Sequence, residues 1–192
     1  MVKPMTAAGA VVCWGVLFAG CTPGVEPTPE PTPEPTFQCT PEAGGDAYGC
    51  DQAEFEAMVA RDEQYAEAER VYRRVQELQF DLMEAREPMN EELRSLMTGE
   101  YLELATSELR DALESGVSYR GNLEVAWVRR ATDISDQGSV LALSTCLAPG
   151  SLVLTYEGED SRPTSFQEQV FFKQEDGGLK VASNRVWEVA EC

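Results

Sequence analysis

Six cysteines, six tyrosines, three tryptophans and 34 carboxylates are the groups in this chain of 192 residues that could carry chemistry, and histidine is absent. Without an imidazole there is no Ser-His-Asp or Cys-His nucleophile, no HExxH zinc helix and no His-ligated haem. No GxxxxGK[ST] or GxGxxG loop is present, so no nucleotide cofactor is expected. Asp133 and Asp136 lack the spacing of a calcium loop and read as a solvated turn, so no metal is expected either. What remains is carboxylate and phenol chemistry, in which a base in an apolar pocket works beside a Tyr or a protonated acid that holds an oxyanion. Glu168 interrupts an otherwise apolar strand face, and Tyr156 lies nearby in sequence. A surface glutamate on an edge strand explains Glu168 as well, so no residue is assigned as catalytic. Tyr101, Trp127 and Trp187 are large aromatics at spacings that ordinarily supply core burial.

These side chains belong to a chain with a clear address. Lys3 precedes an uncharged, mostly apolar run from Thr6 to Gly20, too short to span a bilayer but of the length of a signal h-region. The run ends in Leu17-Phe18-Ala19-Gly20-Cys21. Small residues before a cysteine resemble a bacterial lipobox, in which the thiol is acylated and becomes the mature N-terminus. An ordinary secretory signal cut near Ala19 is the alternative. Residues 1–20 are then a signal peptide and residues 21–38 a tether built on repeated Glu-Pro-Thr-Pro. Alternating prolines fix φ and remove donors, which favours a semi-rigid polyproline spacer reaching roughly 45 Å. The expected location is the outer face of the cell membrane, with lipid on Cys21 as the anchor.

With Cys13 lost and Cys21 acylated, four cysteines remain: Cys39, Cys50, Cys146 and Cys192. An even number in an exported chain points to disulfides. Three pairings are possible. Cys39–Cys50 with Cys146–Cys192 is favoured, because the first closes a small turn-rich loop (39–50) and the second ties the last residue to a central strand.

The folded region, 51–192, changes period half-way. Asp51 and Glu54 form a capping-box pattern, followed by an apolar stripe through Phe55, Met58, Val59, Tyr65, Ala66, Tyr72, Val75, Leu78, Leu82 and Met83. Pro88 breaks this helix, Asn90 caps a short one, and a third runs from about Glu100 to Gly116. After Gly121 the period becomes two, with strands around Leu123–Val128, Val140–Leu147, Leu152–Tyr156, Phe166–Phe172 and Leu179–Val189, the last with a bulge near Asn184. The expectation is an α+β fold, in which a long helix and two shorter ones pack on a curved antiparallel sheet of about four to five strands.

The order of long helix, short helix, Thr98-Gly99-Glu100-Tyr101-Leu102 opening a third helix, Gly116-Val117-Ser118-Tyr119-Arg120-Gly121 and a meander holding Cys146 resembles the nuclear transport factor 2-like (cystatin-like cone) domains of exported lipoproteins from high-GC, actinobacterial-type bacteria. The resemblance implies a pocket between sheet and helices, which Tyr101, Trp127 and Trp187 could line, and a superfamily that includes isomerases, dehydratases and pure scaffolds. Relatives often carry an acidic residue just after the strand cysteine, whereas Cys146 is followed by Leu147-Ala148-Pro149-Gly150. A tethered, non-catalytic interaction module with an envelope protein partner therefore ranks first. Binding of a small apolar ligand ranks second, and an isomerase or dehydratase third.

The charge sharpens the partner expectation. The chain carries 15 basic against 34 acidic side chains, a formal −19. Residues 51–114 hold 18 acidic and 7 basic groups, a net −11, against 11 and 6, a net −5, in 121–192. Nucleic acid is excluded as a partner, because phosphate binding needs clustered Lys and Arg.

Overall fold

The computed structural model describes residues 37–136 and 138–192. Cys21, the expected signal peptide and nearly all of the expected tether lie outside the described residues. Among the described residues no helix is long and apolar enough to cross a membrane.

Helix α1 (Gln52–Ala85) begins at Asp51, whose Oδ1 accepts from the Glu54 N–H at 2.9 Å while Glu54 Oε2 accepts from the Asp51 N–H at 3.3 Å. This reciprocal cap satisfies two donors that the first turn leaves free. Asp51→Ala is expected to cost about 1 kcal/mol, read from a urea melt. An unchanged midpoint would mean that the first turn contributes nothing. Tyr65, Ala68, Tyr72, Val75, Leu78 and Leu82 form the buried stripe of α1. Their spacing of three and four residues is what keeps them on one side of the helix. Val59 and Ala66, expected in that stripe, are exposed. Among the described residues the first turns of α1 pack on a two-stranded ribbon, β1 (Phe37–Cys39) and β2 (Tyr48–Cys50), with the Phe37 and Phe55 rings stacked at 5.1 Å. β1 thus starts within the stretch whose composition suggests tether. Helix α2 (Glu91–Ser95) is capped by Asn90, and α3 (Gly99–Glu114) buries Tyr101, Ala105, Leu109 and Ala112.

The strands do not form one sheet. β4 (Glu124–Arg130), β5 (Leu141–Ala148), β8 (Ser165–Glu175) and β9 (Gly178–Val189) make a four-stranded antiparallel sheet in the order β4-β5-β8-β9. β3 (Ser118–Arg120), β6 (Val153–Tyr156) and β7 (Glu159–Ser161) make a separate three-stranded one, ordered β3-β6-β7. The expected sheet of about four to five strands is found with four; the expected fifth, β6, pairs instead with β3 and β7, which at three residues each are too short to show a period. The α+β class stands, with three helices among the described residues. The principal core lies between α1, α2, α3 and one face of the four-stranded sheet, where Tyr72, Val75, Leu93, Met97 and Leu109 meet Leu143, Val170, Phe172 and Val181.

Two bulges decide which side chains share that face. In β4, Val125 opposes Leu147 and Trp127 opposes Cys146, leaving Ala126 as the extra residue. In β9, Val181 opposes Phe172 and Ser183 opposes Phe171, leaving Ala182 extra, two residues before the expected Asn184. One extra residue switches the faces of everything beyond it. Leu179 and Val181 face the helices before the bulge, and Asn184, Val186 and Glu188 continue on that side after it.

Disulfides join Cys39 to Cys50 and Cys146 to Cys192, with Cα separations of 5.8 and 5.7 Å. Cys146 lies on the sheet face away from the helices. There Cys192 meets it, and the Cys192 carbonyl accepts from Trp127 Nε1–H at 3.1 Å.

Candidate functional site

A cavity of about 670 Å³ opens between α1, α3, the outer halves of β8 and β9, and the β3–β6 sheet. Its wall is mainly apolar, with Phe80, Met83, Leu104, Leu123, Leu152 and Phe166. The loops that bring Leu123 and Leu152 to it meet backbone to backbone. A Cβ on Gly121 (φ 79°) would fall 2.6 Å from the Ser151 carbonyl oxygen, and one on Gly150 (φ 53°) 2.6 Å from that of Asn122. Only glycine fits this contact and these left-handed angles.

Glu168 stands on the sheet side of the cavity and is 4% exposed. Its Oε2 accepts from the Tyr72 hydroxyl at 2.6 Å and its Oε1 from Asn184 Nδ2 at 3.1 Å. Tyr72 Oη also lies 2.9 Å from Thr145 Oγ1, and Thr145 is the cross-strand partner of Glu168. Because the single Tyr72 proton goes to the carboxylate, Thr145 supplies the proton of the second bond. The resulting relay runs from Thr145 through Tyr72 to Glu168. Tyr72 is fully buried and lies outside the cavity wall, so it holds Glu168 in place rather than facing a ligand.

Burial pushes the Glu168 carboxyl above its usual range, and the hydrogen bonds from Tyr72 and Asn184 pull it only part of the way back. Burial likewise raises Tyr72, reinforced by the neighbouring Glu168. A carboxyl with a raised pKa in the folded state keeps its proton better there than in the unfolded chain. Its share of stability is full below the unfolded value and falls as pH rises through the folded one. Glu168→Gln should therefore gain stability relative to the native chain between acid and neutral pH, checked by denaturant midpoints at both. A constant difference would mean that Glu168 titrates as it does in the unfolded chain.

Tyr101 and Glu108 complete the polar wall. Tyr101 Oη accepts from Gln76 Nε2 at 3.4 Å, and Glu108 Oε2 accepts from Gln79 Nε2 at 2.9 Å. Burial raises both the phenol and the carboxyl. Spacing alone could have flagged Gln76, Gln79 and Glu108, because Gln76 and Gln79 are polar residues on the buried side of α1, and Glu108 lies beside the α3 stripe.

Of the three aromatics expected to line a pocket, Tyr101 does so and the two tryptophans do not. The physical reason is the two bulges. The extra residue Ala126 turns Trp127 onto the outer face, level with Cys146, where the Arg129 guanidinium sits 4.5 Å from its ring. Beyond Ala182, Trp187 pairs with Gln167 on that same outer face and is 41% exposed, while Val186 pairs with Glu168 and lines the cavity. The Glu168–Tyr156 pairing also fails: Tyr156 is exposed on β6, in the other sheet, and the phenol at Glu168 is Tyr72.

Tyr65 makes a second phenol–carboxylate contact, donating to Glu42 Oε1 at 2.7 Å, and burial together with Glu42 pushes it up to about 12. With Arg130 4.8 Å from its ring, it clamps the disulfide loop to α1 and does not face the cavity. Among the described residues no three His, Cys, Asp or Glu side chains gather as a possible metal site.

No family model matches the chain, and no curated protein does. Among solved structures it is similar to the intermembrane-space region of the chloroplast protein ARC6, with a TM-score of 0.46 and 13% identity over 64% of this chain and 95% of that one. Aln2 from a Streptomyces species is similar with a TM-score of 0.41 and 13% identity, covering 66% and 90%. An NTF2-like protein with a cystatin-like fold from Novosphingobium aromaticivorans is similar with a TM-score of 0.43 and 12% identity, covering 72% and 90%.

Proposed function

We propose that the chain is an exported lipoprotein, tethered at the outer face of a bacterial cell membrane through acylated Cys21, whose nuclear transport factor 2-like domain binds a small, mainly apolar molecule in the cavity. The binding reading rests on the cavity itself. A space of about 670 Å³ with an apolar wall and a few convergent polar groups has the size and character of small-molecule sites. A filled interior would have left only the outer surface for an interaction module. The anchor reading rests on Leu17-Phe18-Ala19-Gly20-Cys21 and the Glu-Pro-Thr-Pro spacer after it. The domain reading rests on the element order, a long helix and two shorter ones followed by antiparallel strands.

Nile red, a neutral apolar dye, tests the binding site. The protein should take up one dye per chain, and Ala112→Phe should lower the affinity at least tenfold. Ala112 borders the cavity without belonging to the main core cluster, so the added ring has space to enter. Equal affinity in a folded Ala112→Phe variant would reject the site. Intact-mass analysis of the mature protein tests the anchor, and an unmodified Cys21 would end that reading.

One observation favours a second reading, an enzyme of the isomerase or dehydratase kind. A buried carboxylate with a raised pKa faces the cavity and is held by a phenol 2.6 Å away. This is the setting in which a carboxylate abstracts a proton from carbon. Substrate-dependent exchange of a carbon-bound proton, abolished in Glu168→Gln, would establish it.

A further inference from the structure

We propose that the ligand of this cavity is a cation with an apolar body, such as an alkyl- or arylammonium ion. The inference rests on the cavity being a binding site and adds the charge of its occupant. The cavity wall includes Glu108, Asp111, Glu168 and Glu188 and no lysine or arginine. Asp111 has a cation of its own, with Arg110 Nε 3.6 Å away. Glu168 and Glu108 have none among the described residues, and are held instead by neutral donors, Tyr72 and Asn184 at the first and Gln79 at the second. Arg86, whose guanidinium reaches the carbonyl of the cavity residue Val117 at 2.9 Å, is engaged there and by the Leu113 carbonyl at 2.7 Å.

Two carboxylates facing one apolar space repel each other and lose hydration. The charged state is costly unless an opposite charge enters or a proton is taken up. The upward push on Glu168, to which Glu108 contributes, is the mark of that cost. A cation in the cavity relieves both carboxylates at once, a neutral ligand relieves neither, and an anion adds to the repulsion. Phe80, Phe166 and Tyr119 supply the aromatic wall that an ammonium group and its alkyl chain both favour. A second sign is independent of charge. Tyr101 is 5% exposed on the cavity wall, and its oxygen accepts from Gln76, while its own O–H proton meets no acceptor among the described residues. That buried donor is available to an oxygen on the occupant.

The test uses three molecules with one tail: octyltrimethylammonium, octanol and octanoate, each titrated calorimetrically into the full-length protein at neutral pH. The ammonium ion is expected to bind at least tenfold more tightly than octanol, with octanoate weakest. The preference over octanol should shrink about tenfold in Glu168→Gln and partly in Glu108→Gln, a residue outside the main core cluster. Octanol binding as tightly as the ammonium ion overturns the cation inference and leaves the binding site intact. Ammonium binding that persists in Ala112→Phe also overturns it, because the ion then sits on the acidic outer surface. If none of the three binds, and Nile red also fails, the binding site itself is rejected.

Discussion

Tyr72→Phe is expected to destabilise the domain by about 2–3 kcal/mol at neutral pH, the usual cost of taking a hydrogen bond from a buried charged group. The substitution removes one oxygen and leaves the ring, so packing is preserved and the effect belongs to the relay. Glu168 Oε2 loses its 2.6 Å donor and Thr145 Oγ1 loses the hydroxyl 2.9 Å away, and both residues are buried. The loss should be smaller in acid, because a protonated Glu168 needs no donor at that oxygen. The sign follows from the Tyr72 hydrogen bond, which lowers the Glu168 pKa; without it the carboxyl moves further up. In a Glu168→Gln background the cost of Tyr72→Phe should fall to about 1 kcal/mol, that of a neutral hydrogen bond. Denaturant melts of the four chains at two pH values form a double-mutant cycle that reads the coupling directly. A loss that is equal at both pH values and in both backgrounds would show that Tyr72 supports packing and not the carboxylate.

The largest effect is expected from the disulfide at the end of the chain. Replacing Cys146 and Cys192 together by alanine should lower stability by about 4 kcal/mol, against about 3 kcal/mol for Cys39 and Cys50, on the loop-closure model. The difference arises because the first bond spans 46 residues and the second 11, so the longer loop gains more freedom in the unfolded state. The consequences also differ in place. Cys192 holds the residues after β9 against the outer face of the sheet and offers its carbonyl to Trp127. Without that tie, the outer half of β9, which carries Asn184, Val186 and Glu188 to the cavity, is expected to exchange its amide hydrogens faster and to weaken ligand binding. Loss of the Cys39–Cys50 bond should leave β9 protection unchanged, since the β1–β2 ribbon sits at the far N-terminal end of α1. Equal losses of β9 protection in both double variants would remove this distinction.

Much of the fold was legible because the signals are local. The Asp51–Glu54 box, the three-and-four spacing from Tyr65 to Leu82, the Asn90 cap and Gly116 each act within one or two helical turns, and they mark the helices closely. The run Val140–Leu147, apolar on both faces, marks β5, a central strand of the sheet. Short strands such as Glu159–Ser161 were not legible, because three polar residues carry no pattern and pair only because β6 lies beside them. The candidate site was half legible. Glu168 stood out as a charge on an apolar face, and Tyr101 as a large aromatic on a helix. Its true partner did not stand out, since Tyr72 lies 96 residues away on α1 and looked like any other member of an apolar stripe.

By itself the sequence determined the three helices, the longer strands, and which chemistries have no residues to carry them. These depend on residue type and on contacts a few positions apart. Only the tertiary structure decided that Trp127 and Trp187 face away from the cavity, that Tyr72 and not Tyr156 holds Glu168, and that a cavity exists. Those outcomes hang on single extra residues at Ala126 and Ala182, each of which switches the faces of the strand beyond it, and on how helices and sheets distant in sequence leave space between them.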